Sequence, residues 1–153
     1  MNSLFLMKPQ SVCMARAESK DAILQRLGQA FADAFSLDAA QVVEHLEERE
    51  KLGSTGFGRG VAIPHARMPN LKRPIAALLK LERPVSFDAA DGLPVDLVFG
   101  LLSPANSGAA HLHALAAISR LVRDESVHDA LDNAPDAEAL YCVLTNVTDR
   151  DAA

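Results

Sequence analysis

The sequence predicts a mixed α/β fold in which one β-sheet is sandwiched by helices, and three observations carry that reading. Apolar residues recur at helical spacing early in the chain and again near its end. Two apolar runs in the middle, Ile75 to Leu81 and Val95 to Leu102, are bounded by Pro, Gly and Asp, as buried strands are. The connections between strands are short, which excludes a wholly parallel sheet.

Each element follows from local chemistry. Residues 1–18 read as a loose N-terminal segment with a short strand around Val12 to Ala15. Ser19 is an N-cap, followed by Ile23, Leu24, Leu27, Phe31 and Phe35 on one helical face. A second helix is expected from about Asp38 to Arg49, with Val42, Val43 and Leu46 inward and a solvated acidic face outward. The stretch GSTGFGRG, Gly53 to Gly60, is too rich in glycine for a regular element and is expected to be a loop. Val61 to Ile63 resumes an apolar run that Pro64 stops, and RPVSFDAADGLP between the two central strands is turn chemistry. Helices are then expected over Ser107 to Arg123, Glu125 to Leu131 and Asp136 to Val147.

The 153 residues fit one domain, with a core over about 19–147, and the 49% hydrophobic content is enough to bury a proper core. Fifteen basic against twenty acidic residues give a net charge of −5, which argues against nucleic acid as a partner. Cys13 and Cys142 have neither zinc nor redox-motif spacing, and read as reduced thiols. The apolar MNSLFLM start is too short for a signal segment, and no run approaches the roughly 20 apolar residues of a membrane helix. A cytoplasmic protein with no membrane insertion is the expectation.

The glycine loop has the outer spacing of a P-loop, but Arg59 and Gly60 stand where Lys and Ser or Thr are required. Val61 replaces the third glycine of a dinucleotide fingerprint, so nucleotide binding is rejected. Backbone N–H groups with the hydroxyls of Ser54 and Thr55 can nevertheless cradle an oxyanion, although a plain helix-to-strand connection has the same composition. His65 follows in VAIPHAR, at a strand end stiffened by Pro64. In the helical HLH, residues two apart point about 200° from each other, so the two imidazoles cannot share a site. His111 continues through Leu115, Ile118 and Val122 on the buried stripe; His113 continues through Ala117, Arg120 and Asp124 on the exposed one. His111 also lies in the first turns of its helix, where free N–H groups and the dipole favour an anion. His45 and His128 sit among acids and read as surface residues. A zinc site from His65, His111 and a carboxylate competes for the same residues, but short-range ligand pairs such as HExxH are lacking. A serine hydrolase would need a GxSxG that the chain does not contain.

The run LEEREKLGSTGFGRGVAIPHAR, Leu46 to Arg67, resembles the signature of the IIA components of the bacterial phosphoenolpyruvate phosphotransferase system (PTS). The resemblance is to the mannitol/fructose class and, within it, to the nitrogen-regulatory type. PVSFDAADGLPVDLVFGLL and AHLHALAAISRLVRDESVHDAL match the same family in the same order, so the likeness covers about Ser19 to Val147. It implies a single EIIA type-2 domain over 1–153 with the mannitol-type EIIA fold, acting as a phosphotransferase component without cofactor or metal. By motif, His65 matches the transiently phosphorylated histidine and His111 the second active-site histidine. Arg49 matches a basic residue near the site, and Ser54, Thr55 and Gly56 the loop against the phosphoryl group. Ala66 departs from the glycine common after the family's histidine. The implied donor is a phosphorylated HPr-like carrier (NPr), and the implied output is regulation of partners such as potassium transporters or sensor kinases. Transfer onward to a IIB domain in sugar uptake is the alternative within this chemistry. An unphosphorylated protein-binding module on the same fold is the alternative outside it.

Overall fold

The computed structural model describes residues 4–152, with side chains described as far as Val147; residues 1–3 and 153, the ends of the expected domain, lie outside the described residues. The chain builds β1 (Val12–Ala15), α1 (Lys20–Phe35), α2 (Ala39–Lys51), β2 (Gly56–Gly58), β3 (Val61–Ala62) and β4 (His65–Met68). It continues through β5 (Ile75–Val85), β6 (Val95–Pro104), α3 (Gly108–Arg123), α4 (Glu125–Asn133) and α5 (Ala137–Ala152). Helix starts are set by local caps: Ser19 accepts from the Ala22 N–H, Asp38 from Ala40 and Gln41, and Asp124 from Ser126 and Val127. No helix among the described residues is long and apolar enough to cross a membrane.

The strands form one mixed sheet in the order β1-β5-β6-β3-β2, with β4 also on β6. β5 and β6 are antiparallel, whereas β1 joins β5, and β3 and β4 join β6, in parallel. Alternation along the strands feeds two cores. Leu78, Leu97, Phe99 and Leu101 pack with Ile118, Leu131 and Leu144 on the α3–α5 face. Leu79, Val98 and Leu102 pack with Leu27, Phe31 and Leu46 on the α1–α2 face. The predicted sandwich is therefore the fold that forms.

Three local expectations are corrected. The N-terminal segment is not loose from residue 4 onward. Phe5 is 1% exposed and meets the Phe99 ring edge-on at 6.1 Å, and Leu6 exchanges backbone hydrogen bonds with Pro74 and Ala76. Burying its apolar side chains offsets the entropy of ordering it. The glycine stretch is not a plain loop either, because β2 forms within it and pairs antiparallel with β3 just beyond it. Positive φ at Gly58, Arg59 and Gly60 makes that turn. Arg59 is a non-glycine residue at φ 58°, and its N–H is held by Asp91 Oδ2 at 2.9 Å. Finally, β3 stops before Pro64 as expected, but His65 stands at the start of a further strand and not past the end of that one. Pro64 has no N–H for the β6 ladder and interrupts the edge, so His65 heads a new strand against the same neighbour.

Gly100 lies at the centre of β6, where an added Cβ would sit 2.8 Å and 2.9 Å from the Leu27 methyls and 2.9 Å from Phe31 Cε2. Both side chains are wholly buried and have no room to retreat. Gly100→Ala is expected to lower stability by about 1–3 kcal/mol, measured as a reduced urea midpoint at unchanged slope.

Candidate functional site

His65, His111 and Arg49 converge on one open cleft of about 460 Å³. β4 supplies His65, the first turns of α3 supply His111, and the last turn of α2 supplies Arg49. The two imidazole rings lie 5.6 Å apart, centre to centre, and are tilted by 45°. His65 is half-buried and its Nδ1–H donates to the Ile63 carbonyl at 2.7 Å. A carbonyl only accepts, so the neutral ring keeps its proton on Nδ1 and leaves Nε2 as a lone pair. His111 is only 5% exposed, and its Nδ1 lies 2.7 Å from Ser103 Oγ.

The electrostatics favour two neutral rings. Burial lowers the His65 pKa, and the Arg49 charge pushes the same way; the Ile63 carbonyl and Glu50 oppose them. Burial also lowers His111, with help from His65 and Arg67, to about 4. Arg49 Nη1 donates to the Gly53 carbonyl at 2.9 Å, which braces the guanidinium at the end of α2.

The loop residues singled out in the sequence are not brought to this cleft. Ser54 Oγ donates to the Phe87 carbonyl at 2.6 Å and accepts from the Gly56 N–H at 3.0 Å. The Thr55 hydroxyl and N–H both go to the Glu50 carboxylate. That carboxylate has a side chain only 6% exposed and also meets Lys20 Nζ at 2.8 Å. Gly56 is pressed so closely on Ala89 that a Cβ would lie 2.7 Å from its Cα. The hydroxyls thus lock the loop onto its neighbours; they are not free donors aimed at the histidines.

Three polar residues of the cleft escaped the sequence reading: Arg67, His45 and Glu48. Arg67 stands two residues beyond His65 in β4 and lines the same cleft, a placement strand alternation could have suggested. His45, read as a surface residue, also lines it, four residues before Arg49 on one face of α2. His113 is exposed as expected, although Ala117 on its stripe is buried. His128 sits elsewhere, 3.1 Å from Asp132. Among the described residues no cluster of three or more His, Cys, Asp or Glu could hold a metal ion. Cys13 and Cys142 are free thiols.

Comparison with known proteins shows the family and the fold. Residues 5–147 match the family described as "Phosphoenolpyruvate-dependent sugar phosphotransferase system, EIIA 2". The chain is 44% identical over 140 residues to a nitrogen regulatory protein of Bradyrhizobium diazoefficiens, covering 91% of this chain and 92% of that one. It is 45% identical over 130 residues to a nitrogen regulatory protein of Pseudomonas aeruginosa, covering 84% of each. The crystal structure of nitrogen regulatory protein IIA-Ntr from Neisseria meningitidis superposes with a TM-score of 0.82 at 36% identity, over 90% of this chain and 95% of that one.

The lowered histidine pKa values carry a stability signature. Between His111's folded value of about 4 and the ordinary imidazole value of 6.5, the unfolded chain binds a proton that the folded chain refuses. Stability is therefore expected to hold above the unfolded value and to fall as pH drops through that window, by up to about 3 kcal/mol from His111. His65 adds to the loss in the same direction. Urea midpoints across this pH range check it, and His111→Gln should remove the His111 share of that pH dependence.

Proposed function

Because the chain belongs to the EIIA type-2 family of the phosphoenolpyruvate-dependent phosphotransferase system, whose members are phosphotransfer components, we propose that His65 is its phosphoryl acceptor. The carrying observation is the Nδ1–H bond from His65 to the Ile63 carbonyl, which leaves Nε2 unprotonated beside His111 and Arg49 in an open cleft. The Nε2 lone pair attacks the phosphorus of a phosphohistidine on an HPr-like carrier. The new N–P bond forms as the donor's N–P bond breaks, and the leaving electron pair returns to the donor imidazole, whose other ring nitrogen carries the proton that lets it leave neutral. His65 need not release a proton, because its ring proton stays on Nδ1 throughout. The transition state is loose and spreads charge over the equatorial oxygens, so positioning and charge supply most of the catalysis. Arg49 contributes the charge, and His111 and Arg67 complete the polar wall.

Ser54, Thr55 and Gly56 act at one remove in this proposal. Thr55 ties the loop through Glu50 to the turn of α2 that carries Arg49, while Ser54 and Gly56 tie it to Phe87 and Ala89. The phosphoryl group adds up to two negative charges at pH 7 to a rim bearing Arg49 and Arg67. That change lets partner proteins distinguish the two states in the cytoplasm, with potassium transporters and sensor kinases as the kind of target proposed. The similarity to nitrogen regulatory proteins supports regulation as the output of one EIIA domain over 1–153. The family's sugar description favours transfer onward to a IIB partner as the second reading.

Incubation with phosphoenolpyruvate, enzyme I and an HPr-type carrier should add an acid-labile phosphoryl group, seen by intact-mass spectrometry. His65→Ala should abolish the adduct while leaving the fold intact. Arg49→Gln should slow its appearance by roughly 10²-fold. A wild-type chain that takes no phosphoryl group from a competent donor would leave the protein-binding module as the reading.

A further inference from the structure

His65 and His111 anchor themselves through the same ring atom, but to partners of different character. The Ile63 carbonyl beside His65 can only accept, so the direction of that bond is settled. Ser103 Oγ beside His111 can donate or accept, and the direction decides which group Nε2 of His111 offers to the cleft. An Nε2–H can donate to a phosphoryl oxygen, whereas an Nε2 lone pair would repel it.

Ser103 lies on β6, wholly buried, and its hydroxyl has His111 Nδ1 as its one side-chain partner among the described residues. No buried polar side-chain atom is left unsatisfied among them. If Nδ1 of His111 carried the proton, Ser103 Oγ would accept it, and the serine's own hydrogen would be buried without an acceptor. Unmade hydrogen bonds of that kind are rare in folded proteins because the desolvation is not recovered. The reverse direction leaves nothing orphaned: Ser103 O–H donates to Nδ1, and the single ring proton sits on Nε2.

We infer that Ser103 is a positioning residue that holds His111 as its Nε2–H tautomer, so that this ring donates a hydrogen bond to the phosphoryl group on or approaching His65. The two rings then present opposite faces of the same chemistry, a lone pair on the nucleophile and an N–H on its neighbour. Tautomer choice matters because His111 is neutral near pH 7 and has one proton to place. The groups facing it, His65 and Arg67, disfavour a second proton. This inference rests on the reading of His65 as phosphoryl acceptor.

Imidazole ¹⁵N NMR of the full chain at pH 7 tests the tautomer without any phosphoryl transfer. The expected wild-type signal for His111 is a protonated Nε2 with a bare Nδ1, and an Nδ1–H signal would overturn the inference. In Ser103→Ala the His111 signals should move toward the Nδ1–H form or a mixture. Phosphorylation of that variant by the HPr-type carrier should be roughly tenfold slower, a single charge-assisted hydrogen bond's worth. Ser103→Thr, which keeps the hydroxyl, should recover most of the rate. A Ser103→Ala rate equal to wild type would also overturn the inference. If Ser103→Ala fails to fold, the wild-type spectrum still decides. A wild type that accepts no phosphoryl group overturns the reading of His65 instead, and the ring signals report on Ser103 regardless.

Discussion

Parallel pairing of β4 with the last four residues of β6 is the constraint on which the site depends. His65 stands opposite Leu101, and Arg67 opposite Ser103. Ala66 and Met68 fall on the buried α1–α2 side, so the intervening His65 and Arg67 project to the other face. A slip of one residue would exchange these sets, putting an imidazole and a guanidinium into an apolar core. The same stretch of β6 carries Ser103, which holds His111 from α3. One strand segment thus sets where both rings stand, and the α3–α5 core behind it keeps that segment in place.

Around that scaffold the site combines uncharged imidazoles with nearby fixed cations in a chain whose overall balance is acidic. Burial favours the neutral rings, so the proposed nucleophile, His65, would not have to lose a proton to water before reacting. Positive charge comes from arginines, which stay ionised at any working pH. Arg49 and Glu50 are adjacent on the last turn of α2 yet serve opposite sides. The guanidinium lines the cleft, whereas the carboxylate is buried against Lys20 and the Thr55 loop. Burying an ion pair is costly unless its remaining hydrogen bonds are made, and the Thr55 N–H and hydroxyl make them.

What could be read from the sequence was what local chemistry decides. Ser19, Asp38 and Asp124 cap helices within their own few residues, so the helix starts were legible or nearly so. The face carrying His111 was legible for the same reason, since 3.6-residue periodicity separates it from His113. His65, His111 and Arg49 were nameable as a group through resemblance, because their convergence depends on a sheet register that spacing does not reveal. The segment holding Phe5 read as loose because its partner, Phe99, is far along the chain. Ser54 and Thr55 looked like free donors because Phe87 and Glu50, which engage them, could not be placed beside them by pattern alone. The β2–β3 pairing was hidden by glycines with no strand preference and by a turn whose Arg59 depends on distant Asp91.

The stretch from Ser54 to Arg59 is fastened to the segment from Phe87 to Asp91 at successive points. Ser54 meets the Phe87 carbonyl, Gly56 touches Ala89, and Arg59 meets Asp91. Glycine-rich surface segments ordinarily fray independently, with opening free energies near zero. Here fraying requires both segments to part, and the second is the link between β5 and β6, the sheet's central antiparallel pair. The glycine stretch is therefore tied to the sheet through that link, and opening it costs more than fraying a loop held only at its ends.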